Sequence, residues 1–170
     1  QPTAGLKDAL LADLEPLLAA FVEMRAAEGA ALHAVIGGQI DAIADGTAQA
    51  RATLTDRTAH VKAANASALA RVMDVVDRAD PDRIAQELAL LAVKADVAEE
   101  LDRLDAHVAA ARALLNAEGP KGRKLDFLTQ EFNREANTLC SKAQFSELTR
   151  IGLDLKHTID QMREQVQNVE

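Results

Sequence analysis

Two clusters of polar side chains carry whatever chemistry this sequence can do. The first is Asp96, Glu100, Arg103 and His107. Spacings of four, three and four place all of them on one stripe of a helix. Carboxylates bind divalent cations. Arg grips a phosphate through two parallel hydrogen bonds. His exchanges protons near neutral pH. Such a stripe makes one wall of a cleft, or else an i,i+4 salt-bridge ladder on a solvated helix, where each pair is worth little.

The second cluster is GRKLDFLTQEFNREANTLCSK, Gly122 to Lys142. On a helix, Gln130, Asn133 and Asn137 share one edge, Glu131 and Glu135 share another, and Arg134 stands beside Thr138. Asn is a mediocre helix former, because its amide competes for backbone groups. Two of them at i and i+4 therefore imply that their amides bond something specific. That partner is a neighbouring helix, a bound ligand or the first stripe. The other reading is a buried polar network that fixes the register between helices. Gly122-Arg123-Lys124 reads as a phosphate-contacting helix start or as a basic loop. Cys140, the sole cysteine, has no His near it in sequence and reads as a small buried residue, not a nucleophile. Glycine-rich phosphate loops, dinucleotide fingerprints and zinc-ligand spacings are absent from the sequence.

Helices must position both clusters. Leu10, Leu14, Leu17, Phe21 and Met24 step by four and three, and Leu32, Ile36, Ile40 and Ile43 continue on a shifted stripe. This predicts one long helix, or two nearly collinear ones, over residues 5–62. Gly37-Gly38 is a candidate kink, at roughly 1 kcal/mol per glycine relative to Ala. A short helix is expected over Ser67–Arg78. Asp80-Pro81 announces the next, with a capping side chain followed by proline at the first helical position. It is expected to run to about Ala117, lined by Ile84, Leu88 and Leu91 and then by Val97, Leu101, Leu104, Val108 and Leu115. The stretch Glu118-Gly119-Pro120-Lys121-Gly122 stops it. Leu125, Leu128, Phe132 and Leu139 mark the buried side of the following helix. Leu148, Ile151, Leu155, Ile159, Met162, Val166 and Val169 form the seam of the last. Strand alternation is missing. The fold class is all-α: elongated helices, with a long helical arm or hairpin over 1–80 and a helical domain over 81–170.

Composition agrees. Of 170 residues, 48% are apolar and 27% charged, which argues against disorder. Aromatics at 2% are too few for a bulky globular core, so the helices pack along thin seams. The net charge of −8 lies entirely before residue 121, because residues 121–170 carry eight basic and eight acidic groups. That balance opposes nonspecific coating of nucleic acid but leaves room for a local basic site. One cysteine permits neither an internal disulfide nor a cysteine-based zinc site, and a reducing, cytoplasmic setting fits. An apolar run long enough to cross a membrane is lacking.

These residues resemble a known family. QELALLAVKADVAEELDRLDAHV, then GPKGRKLDFLTQEFNREANTLCSK and a closing REQVQN, are similar to the C-terminal part of the bacterial YicC/YloC proteins. The match is carried by Lys94, Asp96, Glu99, Glu100, Arg103, Leu104, His107, Gly122 to Phe127, Gln130 to Thr138 and Arg163 to Asn168. Glu23 to Gly29 match more weakly. Three positions depart from the pattern. Val93 stands where an acidic residue is expected, and Asp105 and Cys140 stand where small ones are.

The resemblance implies a metal-dependent endoribonuclease acting as a ring-like homo-oligomer in the cytoplasm, with this chain as its C-terminal portion. Carried onto these residues, Arg103, Arg123, Lys124, Arg134 and Lys142 would hold RNA phosphates. Glu100 and Glu135 would bind Mg²⁺ or Mn²⁺, His107 would act as general acid or base, and Asn133 and Asn137 would orient these groups or meet the 2′-hydroxyl. With few aromatics to stack on, sequence-specific base reading is not expected. Two rivals stand beside the nuclease. One is a helical oligomerisation module with catalysis elsewhere. The other is an acidic module for a protein partner, which needs an exposed apolar patch on residues 1–64.

Overall fold

The computed structural model describes residues 5–73 and 80–169. Six helices account for the ordered elements among them: α1 (Leu6–Ala52), α2 (Leu54–Met73), α3 (Pro81–Lys94), α4 (Ala98–Leu115), α5 (Gly122–Lys142) and α6 (Ser146–Val166). The all-α architecture, with a long N-terminal helix and a helical bundle, is as the periodicity implies.

The bundle is built from the second half of α1 and from α4, α5 and α6. Ile36, Ile40 and Ile43 of α1 are fully buried with Leu101 and Leu104 of α4, Leu125, Phe132 and Leu139 of α5, and Leu148, Ile159 and Met162 of α6. Burying one such side chain contributes about 1.5–3 kcal/mol. That explains why α1 runs unbroken through Gly37-Gly38: the isoleucines on either side are anchored, and their burial outweighs the glycine penalty. Where helices approach most closely, glycine is required. A Cβ on Gly46 would lie 2.6 Å from Leu155 Cδ2, and one on Gly152 would lie 2.5 Å from Cys140 Sγ. Cys140 is thus half-buried against α6, and burial pushes its thiol pKa up.

The N-terminal half of α1 differs. Leu10, Leu14, Leu17, Phe21 and Met24 repeat at helical spacing and are all largely exposed, Leu17 at 65%. Their seam is real, yet among the described residues nothing buries it.

Helix boundaries depart from the sequence reading in two places. The long N-terminal stretch divides at Thr53, whose hydroxyl donates to the Ala50 carbonyl at 2.8 Å, and α2 resumes at once. The short helix expected over Ser67–Arg78 is the end of α2 up to residue 73; its residues 74–78 lie outside the described residues. The helix expected from Pro81 to Ala117 is two helices. It starts as anticipated, with the Asp80 carboxylate accepting from the Asp82 N–H at 3.0 Å. It breaks at residues 95–97, where the Asp96 carboxylate accepts from the Ala98 N–H at 2.9 Å and opens α4. Asp96 with Glu99 three residues later is itself a helix-start signal. The apolar run of α3 masked it.

Arg57 of α2 ties these breaks together. Its buried guanidinium donates to the carbonyls of Ala143, Lys142 and Ala95 at 2.7, 2.8 and 2.5 Å, at the C-terminal ends of α5 and α3. Burial lowers its pKa. The unsatisfied carbonyls of two helix ends offset that cost. Just before the break, Arg51 bridges Asp105 and Asp102 of α4 at 2.7 and 3.0 Å, and these bonds raise its pKa. Asp105, one of the departures from the family pattern, is therefore an anchor for α1. Val93, another, is 73% exposed on α3.

Candidate functional site

Helices α4 and α5 pack antiparallel, and their polar residues meet in rungs. At one end Lys142 Nζ lies 2.8 Å from Glu100 Oε1. Next, Arg103 Nη1 lies 3.5 Å from Glu135 Oε1, while its other nitrogen bonds Glu99. Then the ring of His107, set edge-on to Phe132 at 5.8 Å between centroids, meets the carboxylates of α5. One ligand atom from each of His107, Glu131 and Glu135 lies within 4.8 Å of the others.

Burial gives this third rung its character. Glu135 is only 3% exposed, and His107 and Glu131 are half-buried. His107 Nε2 is buried with no hydrogen-bond partner. A buried polar atom left unpaired costs about 1–3 kcal/mol. Two carboxylates at i and i+4 repel each other as well. Arg103 offsets part of that charge, and Arg134 reaches Glu131 only at 4.0 Å. An imidazole within reach of two crowded carboxylates, with one of its nitrogens unpartnered, is a donor set that fits the metal the family resemblance implies.

The expected site residues do not all converge. His107, Glu135 and Arg103 come together. Glu100 does not join the metal-compatible group. It lies about 10 Å along α4 from His107 by helical rise, with one oxygen on Lys142 and the other, Oε2, buried and unpartnered. Lys142 is accordingly engaged by Glu100. Asp96 lies ahead of α4, off the stripe, and its carboxylate accepts from the N–H of Ala98, the first residue of that helix. Asn133 and Asn137 turn to the opposite flank of α5. There Asn137 Nδ2 donates to Asn133 Oδ1 at 2.6 Å, and Asn133 Nδ2 donates to Asp160 Oδ1 of α6 at 3.2 Å. Arg134 lies on the solvent side between the two flanks. Arg123 and Lys124 form the exposed first turn of α5 and not a loop. They sit about 18 Å along the helix from Glu135.

Glu131 is the residue the sequence reading left without a role. Its i,i+4 relation to Glu135 was visible. What the sequence did not contain was which edge of α5 faces α4, because that depends on how deeply Phe132 seats between them.

No helix among the described residues is long and apolar enough to cross a membrane. Residues 51–170 match the family described as "Endoribonuclease YicC-like, C-terminal". Two relatives named "Probable endoribonuclease YicC" are similar. The Haemophilus influenzae protein is 41% identical over 170 residues, all of this chain and 58% of its own length. The Clostridioides difficile protein is 35% identical over 102 residues, 60% of this chain and 35% of its own length. The chain thus spans little more than half of the longer match. By its sequence across α2 to α6, the chain belongs to the YicC-like endoribonuclease family, in the region corresponding to that family's C-terminal part.

Proposed function

We propose that the α4–α5 cleft is the cation-holding centre of an enzyme that cleaves RNA, and that the enzyme works as an assembly of several copies. The observation that carries this reading is the convergence of His107, Glu131 and Glu135, with an imidazole nitrogen that no protein group satisfies. One nitrogen and two carboxylate donors suit Mn²⁺ better than Mg²⁺, which prefers oxygen alone and keeps its waters. A divalent cation held by His107, Glu131 and Glu135 would supply Lewis acidity toward a phosphoryl oxygen or a water. His107 in this reading holds the cation in place of carrying the proton. Arg103, half exposed at the rim and already turned to Glu135, is placed to receive the phosphate and fix its orientation. Lys142 and Glu100 close the end of the cleft and keep α4 and α5 in register. Arg123 and Lys124 lie where RNA flanking the site would pass, drawn by charge.

The apolar face of Leu10, Leu14, Leu17 and Phe21 supports assembly. An uncovered stripe of this length on a helix calls for a partner, and the corresponding arm of another copy, in a closed ring, supplies one. An RNA substrate and a Cys140 held as its thiol suit the cytoplasm.

A second reading has one observation in its favour. Glu100 and Lys142 are paired inside a single chain, as a register lock between helices would be. In the His107 rung the carboxylates are paired only at 3.5 and 4.0 Å and His107 Nε2 has no partner, which is why the catalytic reading is preferred. RNA cleavage by the full-length protein, with Mn²⁺ and with EDTA, separates them. His107→Ala and Glu135→Gln should abolish cleavage while leaving the helical content intact. Wild-type rates in both variants would leave only the lock.

A further inference from the structure

We propose that the groove between α5 and α6 is a second RNA-binding subsite, in which Arg163 and Arg134 hold a phosphate and Asn137 reads the ribose. It rests on the RNA-cleaving reading above but on different residues. The groove is open, about 640 Å³, and its lining includes Asn133, Arg134, Asn137, Thr138 and Arg163. It lies on the flank of α5 away from the cation-holding group.

Three features point to a polar, anionic ligand. The lining contains two guanidinium groups and no carboxylate, in a chain whose net charge is −8. Among the described residues Arg163 has no ion-pair or hydrogen-bond partner, and Arg134, 70% exposed, has only the 4.0 Å approach to Glu131. The amides are also ordered in a definite direction. Asp160 only accepts, so Asn133 must present its NH₂ group there and its oxygen to Asn137. Asn137 is left with its carbonyl oxygen and a second N–H unengaged. An acceptor beside a donor complements a 2′-hydroxyl, which is both. This accounts for two Asn inside a helix that neither packs them in the core nor turns them toward α4.

The position fits the same substrate. Arg134 is three residues from Glu131, and the body of α5 is only about 10–12 Å across. A strand laid over its outward face spans both the groove and the cleft. The groove lining has no aromatic residue, so binding there depends on backbone charge and ribose, not on base stacking.

The test uses the full-length protein, a fluorescein-labelled single-stranded oligoribonucleotide, and EDTA to prevent cleavage, with binding read by anisotropy. The double variant Arg134→Ala/Arg163→Ala should weaken binding roughly tenfold and reduce the slope of log affinity against log salt by about one to two. Asn137→Ala should narrow the preference for RNA over DNA of the same sequence. Mn²⁺ affinity should be unchanged in both variants. Both guanidinium groups are exposed, so the variants should remain folded, which circular dichroism checks. Unchanged affinity and slope in the double variant would overturn the subsite, as would a wild-type protein that fails to bind the oligonucleotide. If wild type does not cleave RNA but the double variant still loses binding, the subsite stands and the nuclease reading falls.

Discussion

Lys142 Nζ lies 2.8 Å from Glu100 Oε1, and this contact joins the last turn of α5 to the first turn of α4. Each charge sits at the helix end that favours it, an ammonium by C-terminal carbonyls and a carboxylate by N-terminal amides. Glu100 is nearly buried and Lys142 is mostly so. Arg57 fixes the Lys142 carbonyl from behind at 2.8 Å, so the pair is held from the backbone as well.

Removing one partner should therefore cost more than removing both. Lys142→Met leaves a carboxylate buried without its cation and should destabilise the fold by about 3 kcal/mol. Glu100→Leu together with Lys142→Met should recover most of the loss. Denaturant unfolding of the single and double variants gives the coupling energy. A coupling near zero would mean that the two charges do not sense each other.

Gly152 and Cys140 make a second close contact. Gly152→Ala puts a methyl group where a Cβ meets Cys140 Sγ at 2.5 Å, and should cost about 1–3 kcal/mol by overpacking. Adding Cys140→Ala should return part of that stability, because the sulfur is the nearest obstacle. Denaturation midpoints of the three variants check this. A neutral Gly152→Ala would place α5 and α6 farther apart.

The same burial controls the thiol. Because its pKa is raised, Cys140 remains protonated through neutral pH, and the thiolate appears only above the range of a free cysteine. Alkylation by iodoacetamide should be slow at pH 7–8 and still rising when a model thiol has levelled off. Rapid labelling at pH 7 would contradict both the burial and the passive role given to Cys140.

The exposed stripe of α1 gives a prediction about assembly. Leu14→Gln, Leu17→Gln and Phe21→Gln together should lower the mass of the full-length protein in sedimentation velocity without loss of helix. A wild-type monomer, or a variant with unchanged mass, would show that the stripe meets something other than another copy.

Much of the architecture was legible in the residues. Phe132, Leu139, Leu155 and Ile159 recur at helical spacing, and all are buried. The same periodicity at Leu14 and Leu17 marked a seam just as strongly, yet those side chains are exposed, because periodicity shows that a face needs covering and not whether this chain covers it. The break before α4 was missed because Asp96 falls within an apolar rhythm that continues on both sides. The site was legible as two polar runs on α4 and α5. Its internal division was not. Glu131 and Asn133 are two residues apart, and two residues turn a helix by about 200°, so their destinies depend on how α5 rotates against α4 and α6. Cross-helix packing sets that rotation.

Glu131 tests the proposed cation-holding centre most directly, since it lies with His107 and Glu135 where Glu100 does not. Mn²⁺ binding to the full-length protein, followed by calorimetry, should weaken by at least ~10-fold in Glu131→Gln, and the variant should lose RNA cleavage in parallel. Glu100→Gln should retain Mn²⁺ affinity. Undiminished Mn²⁺ binding in Glu131→Gln, or a loss confined to Glu100→Gln, would contradict a site made by His107, Glu131 and Glu135.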